Sequence, residues 1–308
     1  MIALYLEKGL VVQKKGYRFG EPLKPKVASN KKANIENHIL PILGKKTLSS
    51  LSSSDVERLY AKVASGTTAQ DRKTGFRARR IVKGGEGAAR KVVRDFSAIC
   101  TFGVQNGLLQ TNPMNRARVH TTDKMRKDFV RQKDVADFLA LIDVHEEETG
   151  NRMAADIVRL WLHTGCRHEE ISALEWEFID LAEERIEYPD TKTGESVRVL
   201  SRSAVEILKR QPRGTSLYVF PATRGYGHYT AARDFLKRIR QDPRFAKISP
   251  HALRHTHGSL AVAAGVGLPI VKRMMGHTRI QSTERYVHIE EVSAKAGSNA
   301  LADFLGTQ

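Results

Sequence analysis

The sequence predicts a mainly α-helical protein with a small antiparallel β-sheet, divided into two domains. Three observations carry that expectation. Apolar residues recur at helical spacing along most of the 308 residues. One stretch, around residues 185–200, changes to strict alternation. The charge also changes character near residue 127. Residues 1–127 hold 26 Lys and Arg against 9 Asp and Glu, so they carry the whole net charge of +17, while residues 128–308 hold 25 of each sign.

The first domain, residues 1–114, is expected to be all-helical. Ala28–Leu40 has helical spacing and is expected to stop at Pro41, with Gly44 in the turn beyond. Ser54, Asp55 and Glu57 suggest a capping box, and Val56, Leu59, Tyr60 and Val63 form the apolar face behind it. Residues 67–87 combine four glycines with Arg72, Lys73, Arg77, Arg79, Arg80 and Lys83. They read as a basic, mobile loop whose side chains are candidates to lie along nucleic-acid phosphates. Ala88–Gln105 is the third helix, with Val92, Val93, Phe96, Ile99 and Cys100 inward, and Asn112-Pro113 closes the unit.

Residues 115–127 are polar and basic without apolar period, as in a linker. The second domain, 128–308, begins with a helical stripe at Val135, Phe138, Leu139 and Ile142. Met153–His163 is a further helix, ended by Gly165. Arg185–Pro189 and Ser196–Leu200 alternate as strands around Thr191-Lys192-Thr193-Gly194. Helical patterns return at Ser203–Arg210, His228–Gln241, His251–Ala264, Pro269–Met275 and Ser282–His288, and residues 290–308 form a tail.

Composition bounds function before any motif is considered. No apolar run approaches the roughly 20 residues of a membrane helix, the opening Met1–Leu6 is too short for a signal peptide, and two cysteines make no disulfide framework. The expectation is a cytoplasmic protein without membrane contact. The basic first domain points to nucleic acid, although a solvated basic surface or a ribosomal or chromatin-like binder has the same composition. The second domain is polarised. Residues 128–187 hold 6 basic and 16 acidic residues, and 188–289 hold 18 and 6.

Three segments of the second domain gather groups suited to phosphate chemistry. In Thr164-Gly-Cys-Arg167-His-Glu-Glu170, Arg167 opens a helix beside backbone N–H groups suited to an anion. In Pro250-His251-Ala-Leu-Arg254 a spacing of three puts imidazole and guanidinium on one helical face. The third runs from Gly276-His277 to Tyr286. Each is weak alone, since an Arg at a helix start or a Tyr on an amphipathic helix is usually structural. A zinc site from His251, His255 and His257 is the weaker reading of the second segment, because no Cys or carboxylate falls nearby.

In this order the segments resemble the tyrosine recombinase, or phage integrase, family. Its pattern reads Thr-Gly-x-Arg with an acidic residue three on, a lysine in a β-hairpin, His-x-x-Arg, Gly-His and the nucleophilic tyrosine. Arg167 with Glu170, Lys192, His251 and Arg254, His277 and Tyr286 fill it. His38–Gly44 and Gly107–Pro113 resemble the family's helical core-binding domain, and the second domain its catalytic domain. The family's arm-binding domain is expected to be missing, because the core-binding domain begins within the first few residues.

The resemblance implies site-specific recombination through a 3′-phosphotyrosine, without metal or other cofactor. Arg167 and Arg254 would clamp the phosphate, His251 would organise the proton of Tyr286, Lys192 would protonate the leaving oxygen and His277 would hydrogen-bond the phosphate. Glu170 would orient a catalytic group. The implied partners are double-stranded DNA, a homotetramer on synapsed sites built from chains monomeric in solution, and accessory DNA-bending proteins. The resemblance implies a tail that docks on a neighbouring subunit, with packing of its apolar face on its own domain open as the alternative. The setting implied is a bacterial or phage-encoded protein acting on the nucleoid. Type IB topoisomerase-like relaxation and a catalytically silent DNA-binding protein stay open as alternatives.

Overall fold

A computed structural model describes residues 1–10, 20–76, 78–122, 128–191 and 194–276, with 302, 305 and 306 beyond. The chain divides into two compact units, Met1–Met125 and Arg126–Gln308.

The first unit opens with α1 (Ile2–Leu4), which runs on as a π turn over Tyr5–Gly9, and continues with α2 (Pro25–Asn34). The helix does not stop at Pro41. A π segment, Ile35–Ile39, leads into α3 (Leu40–Leu43) with Pro41 in its first turn. A proline is excluded from a helix interior by its missing N–H and by its clash with the carbonyl four residues back. The wider π turn, in which the Leu40 N–H reaches back to the Ile35 carbonyl, opens that spacing.

The next helix, α4 (Ser53–Ala64), starts earlier than Ser54-Asp55-Val56-Glu57 suggests. Its capping residue is Ser52, whose N–H donates to the Asp55 carboxylate at 3.1 Å. The same buried carboxylate accepts from Lys46 Nζ at 2.7 Å and from Arg58 at 2.8 Å.

The basic stretch expected as a loop is a β-hairpin, so the first unit is not all-helical. Strands β1 (Gln70–Gly75) and β2 (Ala78–Val82) pair antiparallel, with Arg72 opposite Arg80 and Lys73 opposite Arg79. Alternation could not reveal it, because alternation records one buried face and this ribbon exposes Lys73, Arg79 and Ile81 on one side and Arg72 on the other. Arg79 donates twice to Asp71, each time at 2.6 Å.

Helix α5 (Glu86–Gln105) closes a core with α4 around Ile35, Ile39, Val56, Leu59, Val92, Phe96 and Ile99. Asn112 fastens the end of the unit. It accepts from Met114 N–H at 3.0 Å and donates to the Ser97 carbonyl at 3.1 Å. Ala117 and Val119, inside the segment expected as linker, pack against this core.

The second unit contains α6 (Val135–Thr149), α7 (Arg152–Thr164) and the short α8 (His168–Ser172). A three-stranded antiparallel sheet follows, β3 (Ile179–Asp180), β4 (Arg185–Thr191) and β5 (Gly194–Val199), in that order. The β4–β5 hairpin is the one the alternation predicts, and β3 is added at its edge. Among the described residues four helices follow: α9 (Arg202–Lys209), α10 (Ala232–Ile239), α11 (Pro250–Ala263) and α12 (Leu268–Met275). Helix α10 starts at Ala232 rather than His228, because His228 bridges to Pro221 in extended form.

Helix α7 is the hub. It is buried on most sides, with Trp161, Ile157 and Leu160 inward, and it contacts α6, α8, α9, α10 and α11. Asp156 on it is wholly buried and accepts from Arg159 at 2.9 Å, Arg210 Nε at 3.1 Å and Gln211 at 2.7 Å. No described helix is long and apolar enough to cross a membrane.

Candidate active site

The site starts where α7 ends. Gly165 takes φ +60°, the left-handed conformation that glycine reaches without strain. A Cβ there would also lie 2.6 Å from the His257 ring, so conformation and space both demand glycine. The turn delivers Arg167 to the capping position of α8. Its N–H donates to one oxygen of Glu170 at 2.9 Å, and its guanidinium donates to the other at 2.6 Å. The spacing of three seen in the sequence is therefore a reciprocal cap that holds Arg167 in place.

Helix α11 supplies the second cation. Ser249 caps it, accepting from Ala252 N–H at 3.1 Å, with Pro250 in the first turn. Arg254 is only 3% exposed. Its guanidinium donates to the Gly165 carbonyl at 2.5 Å and to the Met275 carbonyl, bridging the α7–α8 turn and the end of α12. Burial, and then the charge of Arg167, push the Arg254 pKa down to about 10. It is still a cation at neutral pH.

Burial alone would raise the Glu170 pKa. The Arg167 N–H, the Arg198 charge and the Arg167 guanidinium outweigh it, so this carboxyl lies below its usual range. Glu170 is thus an anion that holds its neighbours and is poorly suited to take up a proton.

His251 lies exposed on the first turn of α11, with its ring centroid 4.3 Å from that of His255. His257 faces elsewhere, donating from Nδ1 to the Leu162 carbonyl at 3.0 Å. Burial lowers its pKa, which suits a neutral ring in that bond. The three imidazoles of the zinc reading are therefore not drawn together. Among the described residues no group of three or more His, Cys, Asp or Glu could hold a metal ion.

Arg167, Glu170 and Arg254 are thus brought into one cluster, with His251 on the first turn of the helix that carries Arg254. Lys192, His277 and Tyr286 lie outside the described residues, as does Arg77, and so does nearly all of the tail. Thr191 and Gly194, which flank the Lys192-Thr193 pair, are register partners in the β4–β5 hairpin. Arg72, Lys73, Arg79 and Arg80 are on the first unit's ribbon, and Lys83 follows it.

Sequence reasoning missed Arg198. It stands in β5 between Val197 and Val199, where an inward valine face would be the ordinary expectation. The reverse holds: Val197 is 52% and Val199 71% exposed, while Arg198 is 1% exposed. Its Nη2 lies 3.6 Å from Glu170 Oε2. The period of the strand was legible, but nothing local told which face turns inward.

Two guanidiniums, with the charge of Glu170 already engaged by Arg167, form a cationic cluster of the kind that can take an anion. A tyrosine recombinase XerC of Thermodesulfovibrio yellowstonii is 26% identical over 235 residues, covering 70% of this chain and 76% of its own length. The integrase of Salmonella phage P22 is 32% identical over 172 residues, 49% of this chain and 43% of its own.

Two solved structures share the fold. The Tn1549 transposon integrase in complex with transposon right end DNA has a TM-score of 0.66 at 17% identity, over 91% of this chain and 95% of that one. A lambda integrase dimer bound to a COC' core site has a TM-score of 0.65 at 14% identity, over 86% and 89%. Residues 128–292 match the phage integrase family. The chain belongs to that family and is a site-specific recombinase of the tyrosine type.

Proposed function

We propose that this chain recombines double-stranded DNA by attack of Tyr286 on a backbone phosphodiester. The phenol oxygen bonds to phosphorus, the 5′ oxygen leaves, and a 3′-phosphotyrosine and a 5′ hydroxyl result. Resealing reverses the step with a different 5′ hydroxyl, so one ester replaces another and no nucleotide is consumed.

The observation that carries the proposal is the pairing of Arg254 with Arg167. Arg254 is held by the Gly165 and Met275 carbonyls and Arg167 by Glu170, so neither guanidinium must reorganise as negative charge builds on the phosphate. Side chains then do what a metal ion does in other phosphoryl transfers. A phenol with a free pKa of about 10 is a weak nucleophile at neutral pH. His251 is assigned to organise its proton, Lys192 to protonate the leaving oxygen and His277 to hydrogen-bond the phosphate. Glu170 keeps Arg167 in position.

The relatives matched are recombinases and integrases, which favours strand exchange over simple relaxation. By the same likeness the working assembly is a tetramer on synapsed sites, aided by DNA-bending proteins. The ribbon of the first unit supplies phosphate contacts. Its two like-charge cross-strand pairs, Arg72 with Arg80 and Lys73 with Arg79, oppose hairpin stability, and a polyanion would relieve them.

A suicide DNA substrate, nicked so that the 5′ end is lost after cleavage, tests the chemistry. Incubated with its own attachment site, the chain accumulates a covalent protein–DNA adduct in the presence of EDTA. An absolute requirement for a divalent metal would overturn the assignment of charge neutralisation to arginine.

A further inference from the structure

Arg198 has no part in the chemistry above, and its surroundings are unusual for a charged residue. It is 1% exposed, with both terminal nitrogens packed against Gly276. Its Nη1 donates to the Val197 carbonyl at 3.1 Å and to Ser196 Oγ. Its Nε and Nη2 have no hydrogen-bond partner among the described residues, and Nη2 lies 3.6 Å from Glu170 Oε2. The guanidinium carbon stands 5.9 Å from the centre of the Tyr188 ring, and the Tyr188 hydroxyl donates to the Glu170 carbonyl at 2.8 Å.

On its other side the guanidinium lies against Gly276. That residue ends α12 at φ +58°, and a Cβ on it would fall 2.2 Å from both terminal nitrogens of Arg198. A buried guanidinium with incomplete hydrogen bonding is costly, and replacing such a group by an apolar one of similar volume is often neutral or stabilising. Stability therefore gives no account of an arginine here. Its contacts do. They join the strand after Lys192, the carboxylate that holds Arg167, and the residue that immediately precedes His277.

We propose that Arg198 is a positioning residue for the recombination chemistry: its buried guanidinium braces the Glu170 carboxylate that holds Arg167, and its packing on Gly276 fixes the start of the segment carrying His277. The inference rests on the recombinase reading for its catalytic consequence, but not for its geometry. Among the described residues, the groups around Glu170 are Arg167 at its own helix start, Cys166 in the preceding turn, Tyr188 on β4, Arg198 on β5 and Arg254 on α11.

The test compares wild type with Arg198→Met, which keeps volume and removes charge, and with Arg198→Lys, which keeps charge and loses the planar fork. The Glu170 carboxyl carbon is followed by NMR against pH in the full chain, which reads the brace whether or not the protein cuts DNA. Loss of the Arg198 charge is expected to move the Glu170 midpoint upward by about one unit, and the lysine variant to restore most of that shift.

Covalent adduct formation is measured in parallel. Arg198→Met is expected to slow it at least tenfold with unchanged DNA affinity. In a Glu170→Gln background the same change should cost much less, because the two residues act through one contact. An unchanged Glu170 midpoint in Arg198→Met, or full additivity with Glu170→Gln, overturns the proposal. A shifted midpoint in Arg198→Met, beside a wild type that forms no adduct, would leave the brace standing and count against the recombinase reading instead. If Arg198→Met does not fold, Arg198→Gln, which also removes the charge but keeps polar atoms in the pocket, takes its place, and an unchanged Glu170 midpoint there overturns the proposal.

Discussion

The Arg254 guanidinium donates to the Gly165 carbonyl at 2.5 Å, which ties a buried cation on α11 to the turn that presents Arg167. The two arginines lie 87 positions apart in the sequence, yet two backbone carbonyls and one carboxylate fix both. That arrangement sets the first expectation.

Arg254→Lys and Arg167→Lys should each lower covalent adduct formation by two or more orders of magnitude, with less than tenfold loss of DNA affinity. A lysine keeps the charge but cannot span two acceptors as a planar fork does. Adduct yields on a suicide substrate, beside binding by fluorescence anisotropy, check this. Near-normal cleavage by Arg254→Lys would show that the residue serves only to join α7, α11 and α12.

Gly165→Ala should be destabilising and inactive. The added Cβ meets the His257 ring and takes a φ of +60° that alanine tolerates poorly. Strain of this kind costs about 1–3 kcal/mol, readable as a lower urea midpoint with unchanged slope. A midpoint equal to wild type would mean that the α7–α8 turn relaxes freely.

How much of this was legible in the sequence follows from what each element buries. Helices α5, α7 and α11 have one deep face against a core, so their apolar spacing located them to within two residues. The β1–β2 ribbon has no comparable face and shows no period, and Arg72 to Lys83 therefore read as a loop. Pro41 looked like a helix stop because the π turn that accommodates it leaves no mark in residue type. Within the site, Arg167 with Glu170 and His251 with Arg254 were legible because each pair is a short helical spacing. Arg198 was not, since its burial depends on α12 packing across β5, a tertiary contact.

Glu170 makes the site sensitive to acid. Its folded-state pKa lies below the ordinary carboxylate value, so it contributes stability that is present above about pH 4.5 and lost as pH falls through the folded value. Wild type should therefore lose stability on acidification more steeply than Glu170→Gln, which lacks this contribution at every pH. Urea midpoints from pH 7 down to about pH 2 compare the two. Parallel curves would show that Glu170 is not held as its contacts imply.

Asp156→Ala should be among the most destabilising single changes in the second unit, by about 3–5 kcal/mol. It would strip the Gln211 amide and the Arg159 and Arg210 guanidiniums of a shared, wholly buried acceptor. Equilibrium unfolding measures it, and a loss below about 1 kcal/mol would mean that solvent replaces the carboxylate.

On the first unit, the paired changes Arg72→Ala and Lys73→Ala should flatten the plot of log K against log salt by about 0.9 for each phosphate that is no longer neutralised. Thermal stability should hold or rise slightly, because two like-charge pairs are relieved. An unchanged slope would assign the ribbon to solvent.

The central claim is that Tyr286 is the nucleophile of a phosphodiester exchange, and one measurement addresses it directly. Wild type and Tyr286→Phe are incubated with a suicide substrate in EDTA, and protein–DNA adducts are resolved on a denaturing gel. The substitution removes a single hydroxyl and leaves Arg167 and Arg254 in place. The expected result is an adduct through a 3′ phosphate in wild type, none in Tyr286→Phe, and DNA affinities within a few-fold of each other. An adduct that survives in Tyr286→Phe would contradict the account.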